Sequence, residues 1–342
     1  LSAAALDALA ARWLRGGHLQ TIWPALWSHR LSGPALRFER ERWNTPDGDF
    51  IDVDFLAAAG GHPGPASTAI SPPLLVLFHG LEGSSASHYA QAFGSLAQAC
   101  GWRFAVPHFR GCSGELNLAP RAYHSGDYEE IGWVLQRLRA RAPAPMPVVG
   151  VSLGGNALLR WAQEAGSSAA RTAAAVAALS SPIDLAAGGH AIGRGFNRQV
   201  YTRMFLRTMK PKAMRKLAQF PGLFDARRLQ SARTLYEFDN VFTAPLHGFS
   251  STEDYWARAS AKPQLSRCAV PALVLNALND PFVPAHCLPL AHEVGPNVTL
   301  WQPRHGGHVG FAQGAWPGHV LGLPKAVLGW LRERLPSVQS VA

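Results

Sequence analysis

Near the middle of the chain, Gly150-Val151-Ser152-Leu153-Gly154 sets a serine hydroxyl between two glycines. The apolar pair Val148-Val149 runs into this segment, and the helix-forming run Asn156-Ala157-Leu158-Leu159-Arg160 leads out of it. A strand, a sharp turn and a helix in that order make a nucleophile elbow, which holds a serine hydroxyl above a sheet on a strained backbone. Glycines are required there because a side chain would collide with the tight turn. A GxSxG match alone is a weak signal, since an ordinary Gly-rich connection can carry the same letters. The flanking strand and helix patterns give it weight.

A serine hydroxyl is a poor nucleophile near neutral pH, so it needs a base, and the base needs a carboxylate to orient it. With an elbow of this kind, the acid and then the histidine follow the serine along the chain. The favoured acid is Asp280, in Leu278-Asn279-Asp280-Pro281, a turn directly after an apolar strand. Asp184, in Ser181-Pro182-Ile183-Asp184, also follows a strand and is its rival. Either could instead be a turn or helix-capping aspartate. The base is expected from His305-Gly306-Gly307-His308-Val309-Gly310-Phe311, with His308 preferred, although position does not separate it from His305. A zinc reading of these two histidines lacks further ligands at suitable spacing. The oxyanion of an acyl-transfer intermediate needs preorganised donors. The backbone N–H groups of Leu153 and of Leu81, in His79-Gly80-Leu81-Glu82-Gly83-Ser84-Ser85, are the candidates. His79 reads as a brace for that loop.

These groups need elements to position them. Leu36–Trp43 and Phe50–Phe55 read as strands around the turn Thr45-Pro46-Asp47-Gly48, and so as a hairpin. A Gly/Pro/Ser-rich loop is expected over residues 60–73. Strands are then predicted at Leu74–Phe78, Phe104–Val106, Val148–Val151, Ala173–Leu179, Ala272–Leu278 and Val298–Trp301. Helices are predicted at Ser87–Cys100, Asp127–Arg139 and Leu153–Glu164. Alternation of this kind implies a mostly parallel sheet with helices on both faces. Residues 1–35, with Trp13, Trp23 and Trp27, read as a helical lead-in packed on a core formed by residues 36–183 and 261–342. Residues 184–260 break the rhythm and read as a helical cap insertion. From Arg203 to Lys216 this insertion carries six basic residues and no acid, among Met204, Met209 and Met214. Pro211 is expected to interrupt it.

The totals narrow the function classes. The chain has 342 residues, 47% of them hydrophobic and 16% charged, enough to bury a large core and unlike a disordered chain. Its formal net charge of +10 suits an anionic partner or surface, but zinc-finger, RNP and helix-turn-helix patterns are absent, so nucleic acid is not expected. Cys100, Cys112, Cys268 and Cys287 form no CxxC pair, which suits a reducing compartment and a cytoplasmic location. Asp7, Arg12 and Arg15 interrupt the N-terminal alanines, so the start does not read as a signal peptide. No apolar run approaches the roughly 20 residues of a membrane span. The basic, Met-rich insertion is instead expected to cap the site and to contact an anionic membrane through Lys210, Lys212, Arg215 and Lys216.

Taken together, several segments resemble the YheT-like α/β-hydrolases, a family that includes lipid and ester hydrolases. They are Arg15-Gly16-Gly17-His18-Leu19-Gln20-Thr21, the His79–Ser85 loop, Phe109-Arg110-Gly111-Cys112-Ser113-Gly114-Glu115, Tyr123-His124-Ser125-Gly126, Gly150–Asn156, Asn279-Asp280-Pro281-Phe282 and Gly306–Phe311. The resemblance covers nearly the whole chain. It implies the α/β-hydrolase fold, a Ser152–Asp280–His308 triad in preference to His305, and activity on carboxylic esters, lipid esters among them. No metal or organic cofactor is implied. His108 departs from the pattern, standing where Asn is expected. An acyltransferase or a peptidase could use the same residues, and a non-catalytic lipid-binding protein could share the fold. A dehalogenase or epoxide hydrolase would need a carboxylate at the elbow, where this chain has Ser152.

Overall fold

The computed structural model describes residues 3–57, 72–142 and 144–335. Most of the loop expected over residues 60–73 lies outside them. The described strands are β1 (Phe38–Asn44), β2 (Phe50–Leu56), β3 (Leu74–Phe78), β4 (Arg103–Pro107), β5 (Met146–Val151), β6 (Ala173–Leu179), β7 (Ala272–Leu275) and β8 (Val298–Trp301). They form one sheet among the described residues, in the order β1-β2-β4-β3-β5-β6-β7-β8. β1 and β2 pair antiparallel around the expected turn, β2 pairs antiparallel with β4, and the remaining neighbours are parallel. This is the α/β-hydrolase architecture implied by the sequence.

Side chains alternate across a strand, so each apolar run feeds two cores. Val76, Phe78 and Val148 face one layer with Ile131 of α4 (Tyr128–Arg139) and Leu158 of α5 (Leu153–Ala165). Leu75, Leu77, Val149 and Val151 face the other, with Phe93 of α3 (His88–Ala99) and Val327 of the C-terminal helix Gly322–Arg332. β7 stops three residues short of the expected Leu278. Its Leu275 is paired on one side with Leu179 and on the other with Trp301, the last residues of the neighbouring strands.

Between β6 and β7 the described chain contains helices and no strand, beginning with Leu185–Ile192. The longest is Arg203–Gln219, and it runs through Pro211 without a break, contrary to expectation. Leu206 and Ala213, on either side of the proline, are both buried against Leu229, Phe238 and Phe242, and this packing outweighs the local preference.

The lead-in contains α1 (Ala3–Ala8) and α2 (Gly17–Leu26). Trp13 donates to the Gly314 carbonyl and Trp23 to the Pro317 carbonyl, both at 2.9 Å, which fastens this segment to the far end of the chain. Among the described residues, no helix is long and apolar enough to cross a membrane.

Candidate active site

Ser152 lies between β5 and α5 with φ 53° and ψ −121°, a left-handed conformation rare for a side chain-bearing residue. The flanking glycines permit the turn. A Cβ on Gly150 would stand 2.5 Å from the Gly154 carbonyl oxygen, and one on Gly154 would run into the His79 carbonyl oxygen. The elbow ends a central parallel strand at its carboxyl edge, the side of an open α/β sheet where ligand sites form.

The expected partners arrive from two later loops. His308 Nδ1 lies 2.9 Å from Asp280 Oδ2, and His308 Nε2 lies 3.0 Å from Ser152 Oγ. With the proton on Nδ1, the ring donates to Asp280 and keeps Nε2 free to accept from the serine hydroxyl. The Asp280 side chain is fully buried, and its other oxygen accepts from the Phe282 and Val283 N–H groups at 2.8 and 3.3 Å. Phe282 packs against the His308 ring at 4.2 Å between centroids. The rivals stand elsewhere. Asp184 accepts from the Ala187 N–H at 3.0 Å and caps the helix Leu185–Ile192. His305 is exposed, and its backbone N–H is bonded to Asp7.

The loop after β3 approaches the elbow closely, since a Cβ on Gly80 would be 3.1 Å from that of Ser152. Among the described residues, neither the Leu81 nor the Leu153 backbone N–H has a hydrogen-bond partner, and both residues line the cavity containing Ser152 and His308. His79 braces the loop: Nδ1 donates to the Gly80 carbonyl at 2.8 Å, and Nε2 accepts from the Phe109 N–H at 3.1 Å. Burial pushes its pKa down to about 3, so the ring stays neutral.

The cavity measures about 160 Å³ and is lined from the insertion by Phe205, Met209, Phe238, Phe242 and Trp256. Lys212 reaches down from the helix Arg203–Gln219 and bonds both Glu82 carboxylate oxygens, at 3.0 and 2.9 Å. Glu82 itself has φ 57° and also accepts from the Tyr123 hydroxyl at 2.9 Å. The insertion is therefore tied directly to the loop that carries Leu81. Lys216 is buried, donating to the Asn117 and Ala119 carbonyls. Burial pushes its pKa down to about 8. Two of the four cations expected to face a membrane thus point inward, because this side of the helix covers the core.

Residue types alone did not expose the role of the lead-in. The Gln20 side-chain oxygen accepts from the Asn279 side chain at 2.8 Å and from the Gly306 N–H at 2.9 Å, joining the loops of Asp280 and His308. Thr21 Oγ1 accepts from the His308 N–H at 2.9 Å. Both residues lie in the Arg15–Thr21 segment that carries part of the family resemblance, which was the available signal. His108, the departure from that pattern, places Nε2 2.9 Å from Asp54 Oδ2 and so links β2 to the chain after β4. Burial works to raise the Asp54 carboxyl, but Arg40, His108 and Ser85 outweigh it and hold the pKa well below the usual range. Among the described residues, no group of three or more His, Cys, Asp or Glu side chains is arranged to hold a metal ion.

Known proteins share both fold and sequence with this chain. Residues 73–315 match the alpha/beta hydrolase fold family. The Escherichia coli (strain K12) protein named "Putative esterase YheT" is 39% identical over 317 residues, covering 92% of this chain and 89% of that protein. Phospholipase ABHD3 of Mus musculus is 29% identical over 311 residues, covering 87% and 75% respectively. The solved structure of mouse alpha/beta hydrolase domain-containing protein 10 superposes with a TM-score of 0.53 at 14% identity, covering 86% of this chain and 99% of that one, a likeness of fold alone. A single family model spanning β3 to β8, and identity to YheT along nearly the whole chain, place this protein in the alpha/beta hydrolase family among the YheT-like members.

Proposed function

We propose that the protein is a serine hydrolase that cleaves carboxylic esters of acyl chains, lipid esters among them, through an acyl-enzyme. One observation carries the reading: Ser152 Oγ, His308 Nε2, His308 Nδ1 and Asp280 Oδ2 follow one another at 3.0 and 2.9 Å beside a largely apolar cavity. In this mechanism His308 takes the proton as Ser152 attacks the ester carbonyl. Asp280 keeps the imidazole in the required tautomer and steadies the imidazolium. The Leu81 and Leu153 N–H groups receive the oxyanion, and His308 passes its proton to the leaving alcohol. Water, deprotonated by His308, then attacks the acyl-enzyme and releases the acid. The acyl chain lies among Phe205, Met209, Phe238 and Phe242, where a flexible thioether accommodates chains of different length. Relatives named esterase and phospholipase are in keeping with this chemistry.

The test is labelling with a fluorophosphonate, which reacts only with an activated serine, followed by hydrolysis of p-nitrophenyl esters of graded chain length. Wild type should be labelled and turn over, and Ser152→Ala should do neither. Labelling that persists in Ser152→Ala, or a wild type inert in both assays, would overturn the proposal.

A further inference from the structure

The helix Arg203–Gln219 has two faces of opposite character. Phe205, Met209, Lys212 and Ala213 line the cavity containing Ser152. On the outer side, Arg198, Arg203, Arg207, Lys210 and Arg233 surround a shallow groove whose lining includes no carboxylate. Among the described residues, none of these five cations forms an ion pair with an acid. Lys210 donates to the Gln230 carbonyl and Arg203 meets the Gln199 side chain at 3.5 Å. Glu237 is the nearby acid, and it accepts the backbone N–H of Arg233. From Leu185 to Phe224 the sequence holds no Asp or Glu. An ordinary solvated helix face mixes charges of both signs, whereas this one concentrates a single sign.

Apolar side chains border the groove. Val200 and Met204 line a second depression together with Arg203 and Arg207. Met204 is 52% exposed, and Phe196, one helical turn before Val200 and packed on one side against His18 at 4.5 Å between ring centroids, is 51% exposed. A site for a free anion has no use for an exposed methionine, and the linings of the groove and of the second depression hold no aromatic ring on which a base could stack. Cations interleaved with protruding apolar groups match the boundary between the head groups and acyl chains of a bilayer.

We infer that the outer face of this helix docks on an anionic phospholipid surface, with Arg198, Arg203, Arg207 and Arg233 on the phosphate groups and Phe196 and Met204 in the acyl boundary. This rests on the proposed ester hydrolysis only for its purpose. Docking sets the helix that lines the cavity against the lipid and so holds the cavity close to lipid esters. The residues differ from those expected from the sequence, because Lys212 and Lys216 are committed to Glu82 and to backbone carbonyls.

The experiment is flotation of the full chain with vesicles of phosphatidylcholine mixed with phosphatidylglycerol, beside pure phosphatidylcholine. The variants are Arg198→Gln/Arg203→Gln/Arg207→Gln/Arg233→Gln, and separately Met204→Ser. Wild type should bind the mixed vesicles, and added salt should weaken binding. A basic side chain near an anionic leaflet is worth about fivefold in partitioning, so the quadruple variant should lose at least about a hundredfold. Met204→Ser should weaken binding a few-fold relative to wild type without changing its salt dependence. Hydrolysis of a short soluble p-nitrophenyl ester should be unchanged in both variants, and that assay reports on Ser152 independently of docking. Wild type that ignores mixed vesicles, or a quadruple variant that binds as wild type does, would overturn the inference. So would arginine-dependent binding of pyrophosphate or of a short oligonucleotide with no binding of vesicles, since the groove would then serve a free anion or a nucleic acid.

Discussion

Replacing Thr21 with valine tests whether the lead-in positions His308, the proposed base. Thr21 Oγ1 accepts the His308 N–H at 2.9 Å and donates to the Gly17 carbonyl at 2.7 Å. Valine preserves the shape and removes both bonds. Gly17 opens α2, so its carbonyl still accepts the backbone N–H of residue 21 one turn later. The His308 N–H has no second acceptor among the described residues; leaving a buried donor unmatched costs about 1–3 kcal/mol, which is the upper bound for this part-buried one. The loop can recover some of this by shifting, which would lengthen the 3.0 Å contact between His308 Nε2 and Ser152 Oγ. If the whole cost falls on the transition state, kcat drops by about 5- to 150-fold, at about 1.4 kcal/mol per factor of ten. KM should stay within about twofold, since residue 21 does not line the cavity. Thr21→Ser keeps the hydroxyl and should lie near wild type. Steady-state hydrolysis of a p-nitrophenyl ester and the rate of fluorophosphonate labelling read the effect together. Wild-type kcat in Thr21→Val, or equal damage in Thr21→Ser, would refute the reasoning.

Other outcomes follow from the same geometry. Ser152→Ala should lose about 10⁴- to 10⁶-fold in turnover with an unchanged circular dichroism spectrum, and retention of a few per cent of activity would remove Ser152 as nucleophile. His308→Ala should be far more damaging than His305→Ala, which loses only an exposed ring. Asp280→Asn should likewise cost far more activity than Asp184→Asn, because asparagine also caps helices well. A reversed order in either kinetic comparison would relocate the base or the acid. Stability should fall in acid. Burial raises the Asp49 carboxyl, but hydrogen bonds from Asn117, the Leu118 and Phe50 N–H groups and Arg110 outweigh it and lower the pKa to about 2. The unfolded chain then binds the proton more readily. Stability from this group is present above an unfolded value of about 3.8 and is lost as pH falls through about 2. The gap between the two values corresponds to at most about 2 kcal/mol, and denaturant melts at stepped pH should show Asp49→Asn with a flatter acid slope than wild type. Identical slopes would contradict the assignment.

Much of the architecture is written locally. Leu74–Phe78 and Ala173–Leu179 are apolar runs bounded by polar or turn residues, and they form β3 and β6 with those limits. The hairpin turn at Thr45–Gly48 and the glycines around Ser152 are likewise requirements on a few neighbouring residues, legible because backbone sterics act over that range. The order of serine, acid and histidine along the chain follows from the fold. Tertiary structure alone decided which groups meet. Gln20 bonds Gly306 across 286 positions of sequence, a pairing no local pattern encodes. Pro211 argued for a break, and burial of Leu206 and Ala213 on one side of the helix prevailed. The run of like charges between Arg203 and Lys216 gave no sign of which members face water. Helical periodicity and one covered face turned Lys212 and Lys216 toward Glu82 and the core and left Arg203 and Arg207 outside, because a cation is buried only where oxygen atoms replace the water it gives up.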